Sequence, residues 1–404
     1  MLAPEKRPFP ILAYNQLFRY AKVGTKLDCD RLIKKARRNT KLRSFGRDFS
    51  DESLKRLIRS INDEAGLHPF GVLMMREKLI SQLENRLWAE HWFNMHPEIL
   101  EQQVLPIVLV TGLQRTGTTK MQRELSALPG ARALRSWEAL YPAPLGDKNE
   151  SNRRIARTRR NEKAISWISP TFQSIHPIHT DQPEEDVLLL DVHFMSSSSE
   201  AIMNVPSYAG WLSNQDHTSA YAYEMKLLKL LQWQKGGRYW VLKSPHHLEY
   251  LYEISSVFSD VKIIWMHRPI EQSIPSFFSM LYYSRSMFSQ AVSKQAIVDQ
   301  WTSKLTKMLK AGLRFRTEKR DQVTDILFDD FLTDASRVLA DIAHRIPHIG
   351  QSAGKRIDNI NARYVSKHHY GLSDWGLEID ALKKSFAFYQ QNISASSTEN
   401  KAYE

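Results

Sequence analysis

The residues best suited by type and spacing to do chemistry lie in the stretch Ile107 to Lys120, IVLVTGLQRTGTTK. An apolar run that reads as a strand breaks into a loop bounded by Gly112 and Gly117 and then into a helix, a geometry that presents backbone N–H groups to a phosphate. Gly112 and Gly117 stand at the spacing of G-x-x-x-x-G-K-[ST], with Thr119 in the hydroxyl position, but Thr118 occupies the place of the lysine. In a kinase or triphosphatase that lysine reaches the β- and γ-phosphates and stabilises charge on the transferring group. The cation here has moved to Arg115, which leaves a phosphate cradle without the apparatus for cleaving a triphosphate.

Three further segments carry residues of the same kind. Val261 to Met280, VKIIWMHRPIEQSIPSFFSM, is a β-rich run ending in Arg268 and Pro269, after which a helix is predicted; Ser276 lies eight residues beyond Arg268. Tyr239 to Leu248, YWVLKSPHHL, is a short apolar strand ending in Lys243, followed by Pro245, His246 and His247. Pro245 suits a first helical turn, so the two histidines can begin or cap that helix as readily as act in chemistry. In Ser136 to Pro144, SWEALYPAP, Glu138 follows soon after the first loop and its helix.

Together these segments resemble the sulfotransferases that use 3′-phosphoadenosine 5′-phosphosulfate (PAPS). Leu113 to Thr119, LQRTGTT, looks like their 5′-phosphosulfate loop, G-x-x-[KR]-[ST]-G-T-[TS]. The resemblance implies that Arg115, Thr116, Gly117, Thr118 and Thr119 bind the donor's 5′ end and that Arg268 and Ser276 grip its 3′-phosphate. ATP and GTP have no 3′-phosphate, so this second element favours PAPS. LKSPHHL looks like the L-K-S-P-x-H segment of bacterial members, and the position of Glu138 echoes the base carboxylate of tyrosylprotein-type sulfotransferases. The likeness covers roughly residues 104 to 345, with weaker echoes in Gln182 to Glu185 and Tyr370 to Leu377.

Sulfonate transfer to a hydroxyl needs a base for the acceptor proton, cations for the moving charge, and in-line positioning; no metal is required in principle. The resemblance puts Arg115 in the slot of the family's catalytic lysine, at the leaving bridge oxygen. Arginine stays charged, so it cannot donate a proton there. Lys243 would neutralise sulfonate or leaving-group oxygens. Glu138 is the preferred base and His246 its competitor, since a histidine titrates near neutral pH unaided.

Other residues are open to two readings. Arg153 to Arg160, RRIARTRR, is either a lid that attracts an anionic acceptor or a solvated helix face, the latter being favoured. His176, His179, Glu184, Glu185 and His193 fall in the stretch expected to line the acceptor pocket, but their spacing is not that of metal ligands. Trp137, Trp167, Phe172, Tyr208 and Trp211 line an apolar acceptor cleft or belong to the core. Asp329 and Asp330 follow a strand and read as turn or cap residues.

The elements that position these groups are legible in outline. Runs at 107–111, 239–243, 261–266 and 325–328 read as strands separated by helices, the order of a parallel sheet with right-handed crossovers. Ligands in such sheets bind at the carboxyl ends of strands, and Arg115, Lys243 and Arg268 each fall at one. The first 100 residues are mostly helical, with Leu54, Leu57, Ile58 and Ile61 at helical spacing. The expected fold is therefore α/β, a P-loop-like parallel sheet flanked by helices. A helical extension packed on the core spans 1–103, the core 104–345, and a C-terminal extension that completes the active-site region, with a frayed end, 346–404.

Composition sets the outer limits. The 404 residues carry 42% hydrophobic and 25% charged residues, ordinary for a globular chain with a sizeable core. The formal charge of +12 suits nucleic acid, anionic lipid or an anionic cosubstrate, and does not choose among them. Cys29 is the single cysteine, which excludes an intrachain disulfide and a cysteine-based zinc site. No signal-like or membrane-spanning apolar run is present, so a cytoplasmic enzyme without stable membrane insertion is expected.

The reading that follows is PAPS-dependent O-sulfation of a small, partly apolar metabolite, with no nucleic-acid partner. The alternatives are an atypical P-loop kinase and a non-catalytic basic protein that binds nucleic acid or anionic lipid. The acceptor and the oligomeric state are not legible in the sequence.

Overall fold

The structure is a computed structural model, and it describes residues 5–21, 26–147, 149–353 and 371–400. Tyr370, where one weak echo begins, and the final residues 401–404 lie outside the described residues.

Five strands form one sheet: β1 Ile107–Gly112, β2 Ala131–Ala133, β3 Tyr239–Lys243, β4 Val261–His267 and β5 Val323–Leu327. All neighbours are parallel, in the order β2-β3-β1-β4-β5. Ile107 aligns with Trp240 on one side and Val261 on the other, which brings the ends of β1, β3 and β4 to one edge. The four expected strands are present with ends within two residues. β2 was not foreseen, because three residues with an arginine at the centre carry no apolar pattern.

Both faces of the sheet are covered, which is why its central strands read as continuous apolar runs rather than alternating ones. Ile107, Leu109, Trp240, Leu242, Ile263 and Trp265 face the larger core, which they share with the long helices Pro69–Met95, Thr218–Gln234 and Lys294–Glu318. Val108, Val110, Tyr239, Val241, Ile264 and Met266 face a smaller core closed by Thr118–Ser126 and Ala335–Arg345. The described residues ahead of β1, about the first quarter of the chain, are mostly helical, as their periodicity predicts: Leu54, Leu57, Ile58 and Ile61 are buried on one face of Glu52–Glu64. No helix among the described residues is long and apolar enough to cross a membrane.

Candidate active site

The loop after β1 is shaped by backbone conformations that most residues avoid. Gly112 has φ +138°, Arg115 +69° and Gly117 +91°. A Cβ on Gly117 would meet the Phe328 ring at 2.3 Å, so this glycine serves a close approach as well as a left-handed turn. Gly117 is also the N-cap of the nine-residue helix Thr118–Ser126 and offers no side chain to its first N–H groups. Those donors, the positive end of the helix dipole and the arginines beside them make a site for an anion.

Arg268 follows β4 directly and closes one side of the loop. Its guanidinium lies 4.7 Å from the Phe328 ring centre, and its Nη1 donates to the Arg115 carbonyl at 3.1 Å. Arg115 Nε donates to Ser276 Oγ at 3.1 Å, and Arg115 Nη1 to the Ile175 carbonyl at 3.0 Å. Arg268 and Ser276, foreseen as a pair, are therefore both engaged with Arg115. One cleft is lined by Arg115, Gly117, Thr118, Thr119 and Arg268, and also by His176 and Glu185.

The Glu185 carboxylate that lines the same cleft pairs with a buried ammonium. Lys243, the last residue of β3, is buried, and its Nζ lies 2.6 Å from Glu185 Oε1. Ser244 Oγ donates to the other Glu185 oxygen at 3.3 Å. His176 sits among Arg115, Lys243, Glu184 and Glu185. Burial pushes its pKa below the usual value; Glu184 and Glu185 oppose that drop, and Lys243 and Arg115 add to it. The imidazole is accordingly neutral near pH 7 and can accept a hydrogen bond.

The two residues foreseen as bases do not line this cleft. Glu138 is clamped by Arg132, with Nη1 to Oε2 at 2.9 Å and Nη2 to Oε1 at 2.5 Å, and Oε2 also accepts from the Arg135 backbone N–H at 2.9 Å. Each oxygen is taken up in a buried ion pair at a helix start. The signal was present in the sequence, since a glutamate at the third position of a helix reaches back to its N-cap. His246 is buried against His217 and Tyr250, with ring centres 5.7 and 4.8 Å away. Burial, then the neighbouring His217, His247 and Lys304, pushes its pKa well down.

Behind the cleft, the histidine of L-K-S-P-x-H is His247, and His246 is its variable position. His247 Nε2 lies 2.8 Å from Asp186 Oδ2, and its Nδ1 2.9 Å from the Tyr221 hydroxyl. Asp186, Glu224 and His247 form the one buried trio among the described residues with potential ligand atoms within 4.8 Å of one another. Neither Asp186 nor Glu224 was singled out from sequence, because their partners lie tens of residues away.

A glycine-bounded loop at the edge of a parallel sheet, beside arginines and an ion-paired carboxylate, makes a cleft suited to an anion. A model described as the sulfotransferase family matches residues 106–346, more than half the chain. The chain belongs to the sulfotransferase family. Sulfotransferase STF1 of Mycobacterium tuberculosis H37Rv is similar at TM-score 0.78 and 28% identity, over 90% of this chain and 99% of that one. Sulfotransferase STF9 of Mycobacterium avium is similar in fold, at TM-score 0.79 and 22% identity, over 90% of this chain and 96% of that one. A search of curated protein sequences found no match.

Proposed function

We propose that this sulfotransferase takes its sulfonate group from PAPS and delivers it to a hydroxyl of a small acceptor. The observation that carries the reading is one cleft lined by both the anion cradle and Glu185, whose carboxylate pairs with the buried Lys243. The loop fits an anionic donor, because a left-handed Gly117 and an uncapped helix start leave backbone donors pointing outward beside Arg115 and Arg268. PAPS supplies an activated sulfonate on a phosphate leaving group.

Gly117, Thr118 and Thr119 would hold the 5′ end of the donor through backbone N–H groups and hydroxyls, with Thr116 fixing the turn by donating to the Leu113 carbonyl at 2.6 Å. Arg268, with Ser276 nearby, would take the 3′-phosphate. Arg115 would balance charge growing on the bridging oxygen. It stays charged, so it acts as an electrostatic partner rather than an acid.

The base role passes to Glu185. Unlike Glu138, it lines the cleft, and its Oε1 lies 2.6 Å from the Lys243 ammonium. It would accept the acceptor's proton, while Lys243 remains beside the oxygens where negative charge gathers. Neutral His176 would orient the acceptor hydroxyl. The segment that carries His176 and Glu185 would line the acceptor side, with Phe172 and Ile175 buried just ahead of it.

The test is calorimetric titration with adenosine 3′,5′-bisphosphate, with adenosine 5′-phosphate and MgATP as controls and Arg268→Ala in parallel. Selective binding that depends on Arg268 is expected. Equal or tighter binding of ATP would overturn the donor assignment.

A further inference from the structure

We propose that Glu224, in its protonated form, is a positioning residue: it donates a hydrogen bond to Asp186 and, through Asp186 and His247, fixes Lys243 and Glu185 against each other. The inference rests on the sulfotransferase reading of the cleft. Glu224 lies on Thr218–Gln234 and is 1% exposed, as is Asp186. Asp186 is the neighbour in sequence of Glu185, and its Oδ1 accepts from the Lys243 backbone N–H at 3.2 Å. One carboxylate thus holds both the chain that carries the proposed base and the residue that ion-pairs with it.

Asp186 Oδ2 is already engaged by His247 at 2.8 Å. Lys243, whose backbone N–H binds Asp186, commits its Nζ to Glu185. One carboxylate oxygen each of Asp186 and Glu224 and a ring nitrogen of His247 lie within 4.8 Å of one another; two buried carboxyl groups this close are stable with one proton shared. Burial and then the negative charge of Asp186 hold Glu224 well above the usual carboxylate range. Burial alone would raise Asp186 too, but His247 and the bond from Glu224 hold it below. Glu224 is therefore the acid and Asp186 the acceptor. The same trio could instead ligate a cation, and the test separates the two.

Difference infrared spectroscopy of wild type and Glu224→Gln at neutral pH reads the proton directly. A protonated carboxyl band present in wild type and missing in the variant is expected; its absence from wild type would overturn the proposal. Kinetics read the positioning, as sulfonate release from PAPS to 2-naphthol, or to water if that phenol is not accepted. Glu224→Gln, whose amide also donates, is expected within about twofold of wild type, while Glu224→Leu loses roughly tenfold to a hundredfold in kcat because a buried acceptor is left unpaired. Adenosine 3′,5′-bisphosphate affinity should move less than about threefold in both, since the donor wall is untouched. Gln and Leu variants of equal damage, or a stoichiometric metal that is lost on Asp186→Asn, would overturn it. If Leu prevents folding, the infrared result on the Gln variant still decides. If wild type fails to bind adenosine 3′,5′-bisphosphate, the donor assignment falls while the infrared result stands on its own.

Discussion

The two walls of the cleft are built in different ways. The proposed donor wall is mostly one piece of chain: Gly112 to Lys120 runs from strand to loop to helix, with Arg268, Ser276 and Phe328 as long-range additions. The acceptor wall is assembled from His176, Glu185 and Lys243, held from behind by Asp186, Glu224, His247 and Tyr221. A local backbone shape suffices to cradle a phosphate, because N–H groups come with any turn. A base beside a buried ammonium requires opposite charges from separate elements to meet out of water, where each is costly alone.

Breaking the cation shared by both walls should have the largest effect. Arg115→Ala is expected to lower kcat on the order of 10³-fold in steady-state sulfonate release, as for loss of a charge-stabilising donor. Glu185→Gln should follow, with a loss of about 10²-fold or more in kcat and little change in adenosine 3′,5′-bisphosphate binding. If Glu138→Gln matched it, the acceptor wall would be misassigned. Instead Glu138→Gln should leave kcat within about threefold and lower stability by about 3 kcal/mol in denaturant unfolding, because Arg132 would remain buried without its partner.

On the donor wall, Arg268→Ala should weaken adenosine 3′,5′-bisphosphate roughly tenfold to a hundredfold by calorimetry, the value of a charge-assisted bond. The effect should shrink for adenosine 5′-phosphate, which lacks the group that Arg268 would read.

The smallest effect concerns neither wall. Burial pushes His68, His193 and His217 each down to about 4 from 6.5. Between those values the unfolded chain binds more protons than the folded one, so stability is retained above pH 6.5 and falls as the pH drops toward 4. A melting temperature that declines through this window, with donor binding per folded molecule less affected, would keep the cleft distinct from the scaffold.

Much of the donor wall was legible because its information is contiguous. Gly112, Gly117 and the Thr118–Thr119 pair are read from one line of sequence, and Arg268 follows an apolar run whose end marks a strand terminus. The move of the proposed base from Glu138 to Glu185 shows the limit. Glu138 had the right residue type near the right loop, but Arg132, six positions earlier, turns inward with it and closes the pair. Glu185 looked like one of several polar residues until Lys243 was placed beside it.

What the sequence by itself determined is the order of strand, glycine loop and helix, the family that this order resembles, and the cations at the strand ends. Continuous apolar runs, helical apolar spacing and the steric freedom of glycine are local properties, and they act before the chain folds. The tertiary structure alone decided which carboxylates meet a cation and which keep a proton, because ion pairing and desolvation depend on neighbours brought together only when the sheet and its helices close.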